Sequence, residues 1–278
     1  MEDTSNIISQ EKIWKDFSER LWEHYEHHTP KDPYLLAQKH FEEVLKQSVH
    51  QALKKINLKP SALVIFGSTA WGISTIGSDL DIGILLPELD PNSQNNKQRI
   101  RRVIQELKFQ LTPISAVLFA RVPIIRCVYR SDTRFEADIS VTTPLVSVTN
   151  AYMKKYMNSH PLVKPFVIAV KHWAKSCKLV DAYCGYFNSF GITILALKLL
   201  QKYKIIPVYP LSIVYKQQDK EETQDITKQT QSQYQLGGLL YAFFRFILEF
   251  DWKKNHIQIT SAGLFFLIFF ANSNDFDV

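Results

Sequence analysis

Asp79 and Asp81 stand one residue apart in an apolar stretch, near the end of the segment Phe66–Ile84, which reads FGSTAWGISTIGSDLDIGI. If that stretch is a strand, its side chains alternate between two faces. Both carboxylates then leave on one side while Leu80 and Ile82 enter the core. Two carboxylates about 7 Å apart on one strand face repel unless something positive lies between them. A pair of Mg²⁺ ions about 3.5–4 Å apart meets that requirement, and hard carboxylate oxygens favour magnesium, with Mn²⁺ the alternative. A third acid on a neighbouring strand completes such a site. Asp138 in RFEADISV is the candidate, positioned to finish the metal set and to help deprotonate an attacking hydroxyl, with Glu136 on the same face as a competitor. A D-x-D pair is common in surface loops. The chemistry rests on the order strand, Gly67-Ser68, ten residues, D-x-D, then a third Asp. In that arrangement Ser68 and the backbone N–H groups after Gly67 would hold a triphosphate.

The elements that must position these residues follow from hydrophobic spacing. Ala62–Phe66 (ALVIF) reads as a buried strand ending in a turn, and Asp79–Leu86 as a second strand. Further strands are expected at Ser115–Leu118, Ile124–Tyr129 and Arg134–Val141, with a basic amphipathic helix over Lys97–Leu107. Before them, Glu11–Lys55 has helical spacing broken near His28–Pro33. After Pro144 the pattern turns helical, at Ser147–Met157, Pro165–Ser176, Ser189–Lys202 and Leu236–Phe250. A polar insert, residues 216–235, has too little apolar surface to pack and reads as a loop. The fold class is therefore α/β plus α. It divides into N-terminal helices (1–55) packing with the helical part, an α/β unit with a mixed sheet and flanking helices (56–145), and a helical domain (146–278).

Three later segments carry a resemblance: VKHWAK at Val170–Lys175, GYFNSFG at Gly185–Gly191 and LGGLLYAFFRF at Leu236–Phe246. With the Gly-Ser strand and three aspartates in order, the chain resembles the cytoplasmic poly(A)/poly(U) polymerases and terminal uridylyltransferases. These join a DNA polymerase β-type nucleotidyltransferase palm to a helical poly(A)-polymerase-associated domain. From spacing alone, Lys171 and Lys175 share a helix face, which is more often a solvated face than a ligand site. The resemblance implies that both hold the β- and γ-phosphates, that Ser189 contacts the triphosphate and that Phe190, where the family commonly has Tyr, stacks on the base. It also implies that Thr149 or Asn150 contacts the ribose 2′-hydroxyl. His172 and Trp173 read as structural, Arg126 as packing beneath the site, and Arg99, Arg101, Arg102 and Arg121 as phosphate contacts to RNA.

The activity so implied is template-independent addition of nucleotides from NTP to RNA 3′ ends. UMP is the leading choice, because Phe187–Phe190 resembles the uridylyltransferase branch, and poly(A) synthesis from ATP is the alternative. A catalytically impaired RNA-binding scaffold is an alternative of another class, which the three acids disfavour. An enzyme of small molecules or 2′–5′ linkages is disfavoured by the KHWAK and NSFG helices. Nothing after Ile259 resembles the family's base-selection loop, so the helical domain is expected to be incomplete at its C-terminal side.

Composition sets broad limits. The 278 residues are 46% hydrophobic and 22% charged, ordinary for a globular chain, and 33 Lys and Arg against 27 Asp and Glu leave a net charge of +6 that suits a polyanion. Three cysteines without metal-ligand spacing fit a reducing compartment. The polar N-terminus resembles neither a signal peptide nor a presequence, and the apolar run Leu264–Ala271 is too short for a bilayer. The expectation is a monomer without membrane association, cytoplasmic, with a nuclear location the alternative.

Overall fold

The computed structural model describes residues 11–89, 93, 96–110, 113–118, 122–129, 132–181, 186–210, 235–252, 257 and 259–260. Chain contacts divide into two units, one comprising Met1–His27 with Lys155–Val278 and the other His28–Lys154.

The second unit holds the sheet. Its strands are β1 (Ala62–Phe66), β2 (Leu80–Leu85), β3 (Pro113–Val117), β4 (Ile124–Val128) and β5 (Glu136–Thr142). They lie in the order β1-β2-β5-β4-β3, with β2 and β5 parallel and every other pair antiparallel. This is the mixed sheet expected. Alternation explains which face is which: Leu80, Ile82 and Ile84 on β2 and Ala137, Ile139 and Val141 on β5 are almost fully buried, while Asp81 and Asp138 between them are only half-buried.

Helices α1 (Glu11–His28) and α2 (Asp32–Lys55) are separated by a break at the expected place. Their allegiance differs from the sequence expectation, which joined both to the helical domain. Helix α2 belongs with the sheet. Its stripe Tyr34, Phe41, Leu45, Val49 and Leu53 recurs at helical spacing and forms one core with the buried faces of β2, β4 and β5. Each such residue contributes about 1.5–3 kcal/mol when fully buried, so the stripe commits the helix to the sheet. The expected boundary at 145 also shifts, since α5 (Leu145–Met157) begins in the sheet unit. Helix α3 (Gly67–Trp71) is a single turn between β1 and β2, and α4 (Lys97–Gln110) places Ile100, Val103, Ile104 and Leu107 in the same core.

The other unit is helical: α6 (Val163–Ser176), α7 (Ser189–Lys202) and α8 (Leu236–Glu249), with α1. Close approach of α1 and α8 depends on Gly237, where a Cβ would meet Phe17 at 2.9 Å and the Trp14 carbonyl at 3.3 Å. Helix α8 has no N-cap side-chain bond of its own, and Ser18 on α1 accepts from the Gly237 N–H at 3.0 Å instead. Tyr156 and Gln201 both donate to the carbonyl of Ile259, at 2.7 and 2.8 Å, tying that segment into the core. The polar insert lies outside the described residues apart from Gln235, as do Arg121, His256 and the run Leu264–Ala271. Among the described residues no helix is long and apolar enough to cross a membrane.

Candidate functional site

Strand register brings the acids together. Asp81 on β2 and Asp138 on β5 are direct partners across the parallel pair, and Asp138 is at the same time the partner of Arg126 on β4. Residues opposite each other share a face, so Asp81, Asp138 and Arg126 form a row across three strands. Asp79, expected to open the strand, lies just before β2, which begins one residue later at Leu80.

Arg126 answers the repulsion of these acids. Its Nε donates to Asp138 Oδ1 and one Nη to Oδ2, both at 2.8 Å, a two-pronged pairing, and the same Nη lies 4.0 Å from Asp79 Oδ2. The hydrogen bond to Asp138 raises the guanidinium pKa further above its ordinary value against the opposing effect of burial, and the charges of Asp138, Asp79 and Glu136 add to it. A fork of this kind matches carboxylate geometry as an ammonium could not. Sequence reading placed Arg126 only as packing. The available signal was a lone charge between Ile125 and Cys127 in an apolar strand.

Gly67 and Ser68 open α3 where β1 ends. Gly67 adopts φ 69° and Gly72, capping the other end, φ 74°, a left-handed conformation at both limits of one turn. Backbone freedom is only half of the requirement at Gly67. A Cβ there would overlap Asp81 Oδ2 and lie 3.1 Å from Asp81 Cγ, so the glycine keeps the space beside that carboxylate open. The turn is tied from outside: Asn150 on α5 accepts from Trp71 Nε1 at 2.9 Å and donates to the Ile65 carbonyl at 2.8 Å. Thr149 beside it is half-buried. These residues all belong to the sheet unit.

The remaining expected residues belong to the helical unit. Lys171 is half-buried and Lys175 exposed, one turn apart on α6. Between them Trp173 packs on Phe243 and Phe244, with ring centroids 6.0 and 4.9 Å away, and His172 Nδ1 lies 2.6 Å from His24 Nε2 on α1. Ser189 opens α7 and is exposed, with Phe190 half-buried. Asn188 caps that helix through the Gly191 N–H at 2.7 Å, a role its position before the helix could have signalled. On α4, Arg99 and Arg102 are exposed and Arg101 half-buried.

The residues of the sheet unit fit a divalent cation. The donor set is hard carboxylate oxygen, a Cβ-sized space is kept beside Asp81, and a guanidinium already supplies positive charge to two of the three acids.

Comparison with known proteins gives a consistent family. Residues 17–158 match the family model described as poly(A) RNA polymerase, mitochondrial-like, central palm domain. The chain is 30% identical over 212 residues to terminal uridylyltransferase cid1 of Schizosaccharomyces pombe, covering 70% of this chain and 50% of that protein. It is 28% identical over 224 residues to poly(A) RNA polymerase GLD2 of Xenopus tropicalis, covering 73% and 41%. The chain thus spans about half or less of the length of these curated relatives. A crystal structure of the Cid1 poly(U) polymerase with magnesium and 3′-dATP bound superposes with a TM-score of 0.63 at 24% identity, covering 86% of this chain and 75% of that one, a likeness of fold.

Proposed function

The chain belongs to the poly(A) RNA polymerase, mitochondrial-like, central palm domain family, and on that premise we propose that it adds nucleotides from NTP to RNA 3′ ends without a template. The observation that carries this reading is the register pairing of Asp81 with Asp138, with Asp79 two residues before Asp81 and Arg126 beside Asp138. Like relatives solved with magnesium, the three carboxylates would hold Mg²⁺, with Mn²⁺ the alternative. When bound, the metal would supply charge neutralisation at the transferring phosphoryl group and a lowered pKa for the attacking hydroxyl.

The chain's own residues have separate tasks. Asp138 receives the proton of the RNA 3′-hydroxyl, and Arg126 holds that carboxylate in one orientation through its two bonds. Gly67 leaves room for phosphate oxygens next to Asp81, and Ser68 with the following N–H groups binds them. Lys171, Lys175 and Ser189 contribute triphosphate contacts and Phe190 a stacking surface for the base, as the resemblance implies. Thr149 is proposed for the ribose 2′-hydroxyl, and the exposed arginines of α4 for RNA phosphates, with salt-dependent affinity. A cytoplasmic setting, as for the relatives named above in the resemblance, is part of the proposal.

UTP is the proposed substrate and ATP the competing one. Extension of an oligo(A) primer by the purified chain with each NTP singly, in Mg²⁺, tests the reading. Extension by UTP that Asp81→Asn abolishes is the expected result. Equal use of all four NTPs defeats the base preference, and extension unchanged by Asp81→Asn defeats the catalytic assignment.

A further inference from the structure

Asn150 is one of two adjacent residues that resemblance links to the ribose, yet its amide is already engaged. Its oxygen accepts from Trp71 Nε1 and its nitrogen donates to the Ile65 carbonyl. These two partners fix which end of the amide is oxygen, since an indole N–H only donates and a carbonyl only accepts. They also bracket α3. Ile65 is the last residue but one of β1, and Trp71 is the last residue of the turn. The segment between them has a left-handed glycine at its start and another just past its end, and no side chain caps its N-terminus. A five-residue helix has almost no stability of its own, because nucleation costs several fixed dihedrals for each hydrogen bond gained. Something outside must hold it. Among the described residues, Asn150 is the side chain that bonds to both sides of that turn.

We propose that Asn150 is a positioning residue: a brace from α5 that fixes the Gly67–Ser68 turn against Asp81, acting through Ile65 and Trp71. The inference rests on the reading of that turn as the phosphate-binding element. Without the brace, the backbone could pivot at Gly67 and Gly72, and Ser68 would lose its fixed place beside the carboxylate row. A residue acting this way governs how well any nucleotide is held for reaction. It does not distinguish ribose from deoxyribose.

The test uses Asn150→Ala, Trp71→Phe and the double variant of the full chain, with kcat and KM for UTP and dUTP on an oligo(A) primer and amide hydrogen exchange as a second readout. Trp71→Phe removes the indole donor from a ring 7% exposed and keeps most of its volume, so it serves if Asn150→Ala does not fold. Each single variant is expected to lower kcat about 10-fold for both nucleotides, leaving their ratio unchanged. The double variant is expected to be no worse than Asn150→Ala. Exchange across Phe66–Gly72 should speed up in both singles while that of α2 stays constant. A selective loss of the UTP preference over dUTP in Asn150→Ala, with Trp71→Phe like the parent, overturns the proposal, as does unchanged exchange in the turn. If the parent chain extends no primer, the functional reading fails, while the exchange experiment still decides the brace.

Discussion

Replacing Arg126 by Met removes the guanidinium and keeps the apolar stem, leaving Asp79, Asp81 and Asp138 on one face without their cation. The structure sets the size of the effect. The Asp138 side chain is 17% exposed and that of Arg126 40%, with two bonds of 2.8 Å between them. An exposed pair contributes at most about 1 kcal/mol, and breaking a buried one costs about 3–5 kcal/mol. The half-exposed arginine is screened by water, so the loss should fall near 2 kcal/mol, roughly 7 °C in the unfolding midpoint of a unit the size of the sheet unit. Thermal unfolding is followed in EDTA and in millimolar Mg²⁺. In EDTA the variant melts below the parent. Mg²⁺ raises its midpoint by more than it raises the parent's, because the added cation takes over the neutralisation that the arginine provided. Asp138→Asn, alone and combined with Arg126→Met, completes a double-mutant cycle in EDTA, with an expected coupling of 1 kcal/mol or more, the lower range for contacting residues being about 0.5. Equal Mg²⁺ increments in parent and variant, or a coupling indistinguishable from zero, would refute the reasoning.

Gly67→Ala should lower primer extension more than 100-fold, since its Cβ overlaps the Asp81 carboxylate and its φ of 69° adds about 1 kcal/mol of strain. Gly77→Ala is the control: φ is 79° there too, but nothing lies within 4 Å of a Cβ, so stability drops with activity kept, and equal activity losses would argue against the clash. Iodoacetamide at pH 8 should alkylate the exposed Cys177 of the native chain and spare Cys127, whose thiol burial pushes to about 11, leaving roughly one thiolate in a thousand; equal labelling of both in peptide mapping would contradict this. Burial lowers the pKa of His160 from its ordinary 6.5, so the folded state resists protonation and its stability, full above that value, is lost as pH falls. The urea midpoint should therefore drop more between pH 7.5 and pH 5.5 in the parent than in His160→Gln, and parallel drops would count against it.

Local pattern made much of the scaffold readable. ALVIF gave the limits of β1, although that strand is half-buried and not buried as expected, and α7 begins and ends where spacing placed it, because an unbroken apolar run carries its signature within a few residues. The candidate site residues stood out for the same reason: an aspartate inside an apolar strand conflicts with its surroundings unless it has a partner. What spacing could not supply was the identity of partners. The stripe on α2 showed that the helix packs but not on which unit, and it packs on the sheet. Nothing local to Trp71 or Asn150 signals that they meet, since neither residue breaks the pattern of its own helix.

The same distinction explains Arg126. Parallel pairing of β2 with β5 places Asp81 directly opposite Asp138, and a like-charge pair so placed destabilises the sheet that creates it. Before any metal or nucleotide is bound, neither can offset that repulsion. Antiparallel β4 adds the compensating charge by register, at the position facing Asp138. The cation is therefore part of the strand set that brings the acids together, and its cost falls on ligand binding: whatever positive charge arrives with substrate must compete for oxygens that already accept from Arg126. On the proposed reading, a ligand must be charged strongly enough to displace or share that guanidinium, which favours divalent over monovalent cations.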